Sequence, residues 1–249
     1  MKKIIKFLSL VVVFISISNY AQNTSKTSKT IYLTGDVVKF QISLIEDWPF
    51  IDGEINGVRG KWMFDTGNNE PFSLHSKKVV GVKSEKVGLG FVGSGQKFEI
   101  LNYPIINEIK VGNQVFASLK NVSGNNYDFL ESITTTVIGQ IGFSFFEGYD
   151  MKLDYLRNEI TFFRQNEGVE NWEDIKCHRN YITSIPYFTR KLDNHPMIKI
   201  KHKGIDYLIT FDTGGGKGHF VIEDSNFEKL KKDGDIENFY DNQSSYFNW

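Results

Sequence analysis

Hydrophobic and polar residues alternate in two segments of the chain that share the same arrangement. In FIDGEINGVRGKWMF, residues 50–64, two alternating runs flank Asn56 and Gly57. In MIKIKHKGIDYLITF, residues 197–211, they flank Lys203 and Gly204. A period of two is typical of half-buried strands, and a glycine-containing dipeptide between two such runs is typical of a tight turn. The sequence therefore predicts two β-hairpins of the same kind.

The same tripeptide, Asp-Thr-Gly, follows each predicted hairpin. The two copies are Asp65, Thr66 and Gly67, and Asp212, Thr213 and Gly214. A single copy would be ordinary turn chemistry, because Asp caps a turn and Gly accepts a positive φ. Two copies in matched contexts indicate a duplicated lobe instead.

The segments after the two tripeptides are also alike. A short apolar strand is predicted in each, PFSL at residues 71–74 and HFVI at residues 219–222. A helical turn should follow each strand, with Ser76 or Asp224 near its start as a cap. The repeat is far too long for a solenoid and suits a pair of lobes.

Composition supports a β-rich fold and excludes some partners. Aromatic residues make up 14% of the 249 residues, which favours strands. The 29 basic and 30 acidic residues are nearly balanced, so a nucleic acid or an anionic membrane surface is not an expected partner. We expect an all-β protein of two lobes with a few short helices.

The N-terminus is typical of an export signal. Lys2, Lys3 and Lys6 precede the apolar run FLSLVVVFISIS, and Ala21 offers a small residue for cleavage. Residues 1–21 are therefore predicted to be a removed signal peptide, with an uncleaved membrane anchor as the alternative. QNTSKTSKT, residues 22–30, is polar and low in complexity, and residues 22–35 are predicted to be a flexible spacer. The mature protein would be periplasmic or secreted, without stable membrane insertion.

Other chemistries find little support in the sequence. Cys177 is the single cysteine, and its neighbour His178 points elsewhere on a strand. The five histidines lack the spacing of a zinc site. GLGFVG, residues 88–93, precedes a strand instead of opening a helix, and the lysine of GGGKGH, residues 214–219, lacks a following Ser or Thr. No metal and no cofactor are predicted.

Both Asp-Thr-Gly segments resemble the catalytic loops of pepsin-like and retropepsin-like aspartic proteases. The segment TTVIGQIGFSFFEGYDMKLDYLRNEITFF, residues 135–163, is similar to the hydrophobic-hydrophobic-Gly segment of that family with its following short helix and hairpin. Ile141 and Gly142 fit this ψ-loop best, and Ile138 and Gly139 are the other choice. VGLGFVGSGQKFEI, residues 87–100, is similar to the flap, with Gly88, Gly90, Gly93 and Gly95.

The resemblance implies an exported aspartic endopeptidase. Asp65 and Asp212 would activate a water, while Thr66, Gly67, Thr213 and Gly214 would support them. A peptide or unfolded protein would be the substrate. A catalytically weak or inactive peptide-binding module is the alternative, and a β-rich structural or adhesion protein is a third class.

The implied domain organisation has two lobes. Residues 36–165 would form the first lobe, 166–180 a linker, and 181–249 a partial second lobe. The family usually has Ser, Thr or Ala after Asp-Thr-Gly, whereas Asn68 and Gly215 stand here. Because the sequence ends soon after Asp212, we expect either a truncated chain, which we favour, or a degenerate second lobe. From these residues alone we expect little or no proteolysis.

Overall fold

The computed structural model describes residues 32–91, 97–165, 186–189, 196–202, 204–215 and 232, which belong to one compact unit, Ile31–Trp249. Strands predominate in these residues and helices are short, so the expected β-rich fold is confirmed. No described helix combines the length and apolar character needed to cross a bilayer. The predicted signal peptide, the linker over 166–180, Cys177, the strand HFVI and the turn at Asp224 lie outside the described residues.

Fourteen strands are described. In chain order they are β1 (Val37–Gln41), β2 (Ser43–Ile45), β3 (Trp48–Ile55), β4 (Val58–Asp65), β5 (Phe72–His75), β6 (Glu85–Phe91), β7 (Lys97–Val111), β8 (Gln114–Asn125), β9 (Val137–Gly142), β10 (Tyr149–Asp154), β11 (Glu159–Arg164), β12 (Tyr187–Thr189), β13 (Pro196–His202) and β14 (Ile205–Thr210). The helical segments are α1 (Asp128–Glu131) and two 3-10 turns, Ser76–Lys78 and Phe143–Phe146.

Both hairpins predicted from the alternating pattern are present. Strands β3 and β4 pair antiparallel, as do β13 and β14. At the first turn Asn56 and Gly57 have φ angles of 48° and 86°, the combination that a two-residue turn needs to match the twist of its strands. At the second turn Gly204 has a φ of 80°.

The turn after β5 was predicted correctly, but its predicted cap was not. Ser76 is the first residue of the 3-10 turn, and the residue before it, His75, makes no side-chain cap bond to the turn. A turn of three residues leaves few backbone N–H groups for a cap to satisfy, so its ends depend on the neighbouring strands.

Strand order in the large sheet brings two distant segments together. The eight strands follow the order β2-β3-β4-β9-β5-β8-β7-β6, and β3 also pairs with β7. Strand β9 lies between β4, to which it is parallel, and β5, to which it is antiparallel. This arrangement places Gly142, the last residue of β9, opposite Asp65, the last residue of β4.

The final residues of β4 are buried on both faces of the strand. Trp62 and Phe64 belong to the main hydrophobic cluster, whereas Met63 between them packs in a second cluster with Phe50 and Tyr127. A strand that is buried on both faces has apolar residues at consecutive positions, and Trp-Met-Phe fits this pattern. Asp65 is thus the first polar residue at the end of a fixed strand.

Packing begins before β1, inside the predicted spacer. Leu33 is buried in the main cluster, and the Tyr149 hydroxyl shares its one hydrogen between the carbonyl oxygens of Leu33 and Gly35, at 3.0 and 2.8 Å. The expectation of a flexible spacer up to residue 35 was therefore wrong at its C-terminal end. The short apolar run IYL, residues 31–33, ends the polar segment, and its Leu33 packs in the main cluster.

Replacing Phe64 should destabilise the fold strongly. Its ring is fully buried and lies 5.8 Å from that of Phe146 and 6.1 Å from that of Phe162. We expect Phe64→Ala to lower the free energy of unfolding by about 3–5 kcal/mol, measured by urea denaturation. Leu156→Ala, at a side chain that is 97% exposed, is the control and should change it by less than about 0.5 kcal/mol. Equal effects of the two changes would contradict this description of the core.

Candidate active site

The two Asp-Thr-Gly loops, 147 residues apart in sequence, are in direct contact. The first begins at Asp65, where β4 ends, and the second follows β14. The backbone N–H of Phe211 donates to the carbonyl of Pro196 at 2.8 Å, which ties the start of the second loop to β13. Each loop is therefore carried by the second strand of a hairpin.

Four hydrogen bonds join the loops in a reciprocal pattern. The N–H of Thr66 donates to Oγ1 of Thr213, and the N–H of Thr213 donates to Oγ1 of Thr66, both at 3.0 Å. The Thr66 hydroxyl donates to the carbonyl of Phe211, and the Thr213 hydroxyl to that of Phe64, both at 2.8 Å. Each buried hydroxyl is thus a donor and an acceptor at once, and serine or threonine can do this whereas valine cannot.

Glycine is required at the third position of each loop. A Cβ atom on Gly67 would lie 2.6 Å from the carboxyl atoms of Asp212, and one on Gly214 would collide with the carboxyl of Asp65. The absence of a side chain therefore lets each loop approach the acid of the other.

The two carboxyl groups form one unit. The carboxyl of Asp212 lies close enough to that of Asp65 for its charge to act on it. The N–H groups of Gly67 and Gly214 donate to Oδ1 of Asp65 and Oδ1 of Asp212 at 2.8 and 2.7 Å. Burial, and then the charge of Asp212, raise the pKa of Asp65 well above its ordinary value. Two carboxyl groups this close disfavour the ionisation of both at once.

Two amide side chains that sequence reasoning did not identify lie beside Asp65. Gln140 donates from Nε2 to Oδ2 of Asp65 at 2.8 Å, and Asn68 donates from Nδ2 to Oε1 of Gln140 at 2.9 Å. The signal was present in the sequence, since Gln140 is a polar residue in a segment that is otherwise apolar before Gly142.

The predicted ψ-loop residues are close to the first loop. Ile141 pairs with Phe64, and Gly142 pairs with Asp65. A Cβ atom on Gly142 would collide with the carbonyl oxygens of Asn68 and Glu70. The other choice, Ile138 and Gly139, lies further from the loop, because Gly139 pairs with Trp62.

The predicted flap is described only in part. Gly88 and Gly90 lie on β6, which pairs with β7 in an antiparallel hairpin. Gly93 and Gly95 lie outside the described residues. A strand follows the GLGFVG motif, as expected, so the motif does not open a helix that could hold a pyrophosphate.

One group of potential metal ligands occurs among the described residues. A ligand atom from each of His75, Asp128 and Glu131 lies within 4.8 Å of the others. Lys77 binds Asp128 and Lys78 binds Glu131 at 2.6 and 2.9 Å, and Nε2 of His75 is 3.2 Å from Glu131. These contacts describe an ion-pair network that joins the turn after β5 to α1, with its negative charges already neutralised.

Comparison with protein-family models and with curated proteins gave no match.

Removing the Thr66 hydroxyl should separate the loops. Thr66→Val leaves the Thr213 N–H and the Phe211 carbonyl without their partner, so we expect the free energy of unfolding to fall by at least about 2 kcal/mol in urea denaturation. Thr66→Ser keeps the hydroxyl and should lose much less. Thr135→Val, at an exposed threonine, is the matched control and should have less than about 0.5 kcal/mol of effect. If serine were no better than valine, the hydrogen bonds would not be what joins the loops.

Stability should fall as the pH rises through the raised pKa of Asp65. Between the ordinary pKa of about 4 and this raised value, the folded protein binds more protons than the unfolded chain, so increasing pH favours unfolding. Unfolding free energies measured from pH 4 to 8 should show this decline, and it should be flatter in Asp65→Asn. Asp206→Asn, which removes an exposed acid paired with Lys199, is the control. A decline that is unchanged in Asp65→Asn would contradict the assignment.

Proposed function

We propose that the protein is an aspartic endopeptidase in which Asp65 and Asp212 act together on a water molecule. The observation that carries the proposal is the close approach of two carboxyl groups on reciprocally bonded loops, each of which follows a separate hairpin. Two carboxyls in contact cannot both ionise and so share one proton. The pair can then serve as general base and general acid in the same step.

The chemistry follows from the division of one proton between two groups. The ionised carboxylate accepts a proton from the water, whose oxygen attacks the carbonyl carbon of a peptide bond. The protonated carboxyl donates to the carbonyl oxygen, where negative charge develops. The N–H groups of Gly67 and Gly214 keep both acids oriented while the proton moves.

The fold proposed for this activity is a pair of lobes related by a pseudo-two-fold axis. Pairing of β3 with β7 at Gly53–Ile55 supports a closed barrel in the first lobe, because β7 otherwise lies far from β3 in the strand order. The repeated hairpin before each Asp-Thr-Gly supports the two-fold relation. The same proposal ends the first lobe at residue 165 and begins the second lobe at residue 181.

The β6–β7 hairpin is the proposed flap. Val87 and Leu89 on β6 are 61% and 53% exposed, which gives the hairpin apolar side chains that could cover a bound peptide. A flap that closes over substrate excludes water from the carboxyl pair and strengthens its electrostatic interactions. The substrate would be a peptide or an unfolded protein. If the N-terminal segment directs export, the protein would act on this substrate outside the cytoplasm.

A peptide-binding module with little or no catalysis is the second candidate. Asp212 is exposed and Phe211 beside it is 46% exposed, whereas Asp65 is half-buried. An acid that is open to water is held less firmly and is screened more strongly than a buried one. The cleft could then retain peptides without cleaving them quickly.

The proposal is tested by cleavage of unfolded casein between pH 3 and 8. We expect activity that peaks below neutral pH, because only there does the pair hold one proton, and that a statine-type inhibitor abolishes. Asp65→Asn and Asp212→Asn should each reduce kcat/KM by at least about a thousandfold, since either change removes one of the two roles. Asp206→Asn should be as active as the unchanged protein.

The outcomes separate the candidates. Inhibitor binding without cleavage, lost in both Asn variants, would favour the peptide-binding module. Cleavage that persists in both variants, or the absence of both cleavage and inhibitor binding, would contradict the proposed site.

A further inference from the structure

Two described groups donate to the carboxyl oxygens of Asp65. Its Oδ1 accepts the N–H of Gly67, and its Oδ2 accepts the amide of Gln140. In the family that the sequence resembles, the residue after Asp-Thr-Gly usually carries a small hydroxyl, and Asn68 stands there instead. The side chain of Asn68 bonds the Oε1 of Gln140.

The direction of this amide chain is set by the backbone. The N–H of Glu70 can only donate, and it donates to Oδ1 of Asn68 at 2.9 Å. Nδ2 of Asn68 must therefore face Gln140, and its partner there must be the Oε1 acceptor. Nε2 of Gln140, a donor, is left facing Asp65. The carboxyl consequently meets a donor at each oxygen, which stabilises its ionised form.

The position of Gln140 is fixed by the sheet. Its strand, β9, lies between β4 and β5, and Gln140 pairs with Met63 on one side and Ser73 on the other. Nε2 also lies 3.7 Å from the sulfur of Met63. A largely buried side chain between two strands cannot turn away from Asp65 without leaving polar atoms unpaired.

We propose that Gln140, oriented by Asn68, is a positioning residue that fixes the outer oxygen of Asp65 and stabilises the ionised form of that carboxyl. Its part in catalysis rests on the proposed protease function, whereas the hydrogen bond and its effect on the carboxyl do not.

The first measurement needs no activity. In the unchanged protein, the NMR signal of the Gln140 side-chain amide should move with pH as Asp65 titrates, and this movement should vanish in Asp65→Asn. In Gln140→Met, which keeps the size and removes the donor, the carboxyl signal of Asp65 should titrate about one pH unit higher, because a hydrogen bond to a charged group is worth about that much.

The second measurement is the pH profile of kcat/KM for casein cleavage. Loss of the donor makes Asp65 easier to protonate, so the pH profile should move up by about one pH unit in Gln140→Met. Asn68→Ala should shift it less in the same direction, and the double variant no further than Gln140→Met alone, since both act through one contact. Ser144→Ala, which removes a hydroxyl bonded to Asn69 at 3.3 Å, is the matched control and should leave the profile unchanged.

The outcomes distinguish this inference from the proposed function. A lower melting temperature in Gln140→Met with an unchanged titration of Asp65 would show a structural role only and would overturn the inference. If Gln140→Met fails to fold, a Gln140 amide signal that ignores pH in the unchanged protein would overturn it as well. If the chain shows neither cleavage nor inhibitor binding but the titrations behave as expected, the protease function fails and the role of Gln140 beside Asp65 stands.

Discussion

The reciprocal hydrogen bonds between Thr66 and Thr213 are the contact on which the site depends. They fix two loops from distant parts of the chain so closely that only glycine fits at the third position of each. Since the hydroxyls are buried and fully engaged, the loops cannot separate slightly without losing all four bonds. That rigidity holds two carboxyl groups in contact despite their electrostatic repulsion.

Rigidity in the first loop comes from the strand that carries it. The buried Trp62-Met63-Phe64 run locks β4 between two clusters, and β9 adds Gly142 beside Asp65. Burying Trp62, Met63 and Phe64 is favourable, and it offsets the free-energy cost of holding the Asp65 carboxyl at the end of the strand, where burial raises its pKa. A raised pKa of a carboxyl group lowers stability at pH values above its ordinary pKa, so the packing around β4 must offset that cost.

Sequence patterns predicted much of the structure around the first Asp-Thr-Gly segment. The alternating runs and the Asn56-Gly57 turn identified the β3–β4 hairpin, and the contexts of the two Asp-Thr-Gly segments suggested that they face each other. The prediction of a flexible spacer was wrong at Leu33, because the three residues Ile31, Tyr32 and Leu33 are too few to give a periodic signal. Gln140 was missed for a related reason, since a polar residue in an apolar strand indicates a partner without saying which one.

The sequence by itself determined the strands, the tight turns and the residue types of the two loops, because these depend on local periodicity and on backbone preferences of single residues. Only the tertiary structure decided which of Gly139 and Gly142 lies beside Asp65, since a register of parallel strands is fixed by packing on both faces of β9. It alone also decided the direction of the amide chain from Glu70 to Asp65, because that direction follows from one backbone N–H whose position depends on the folded loop.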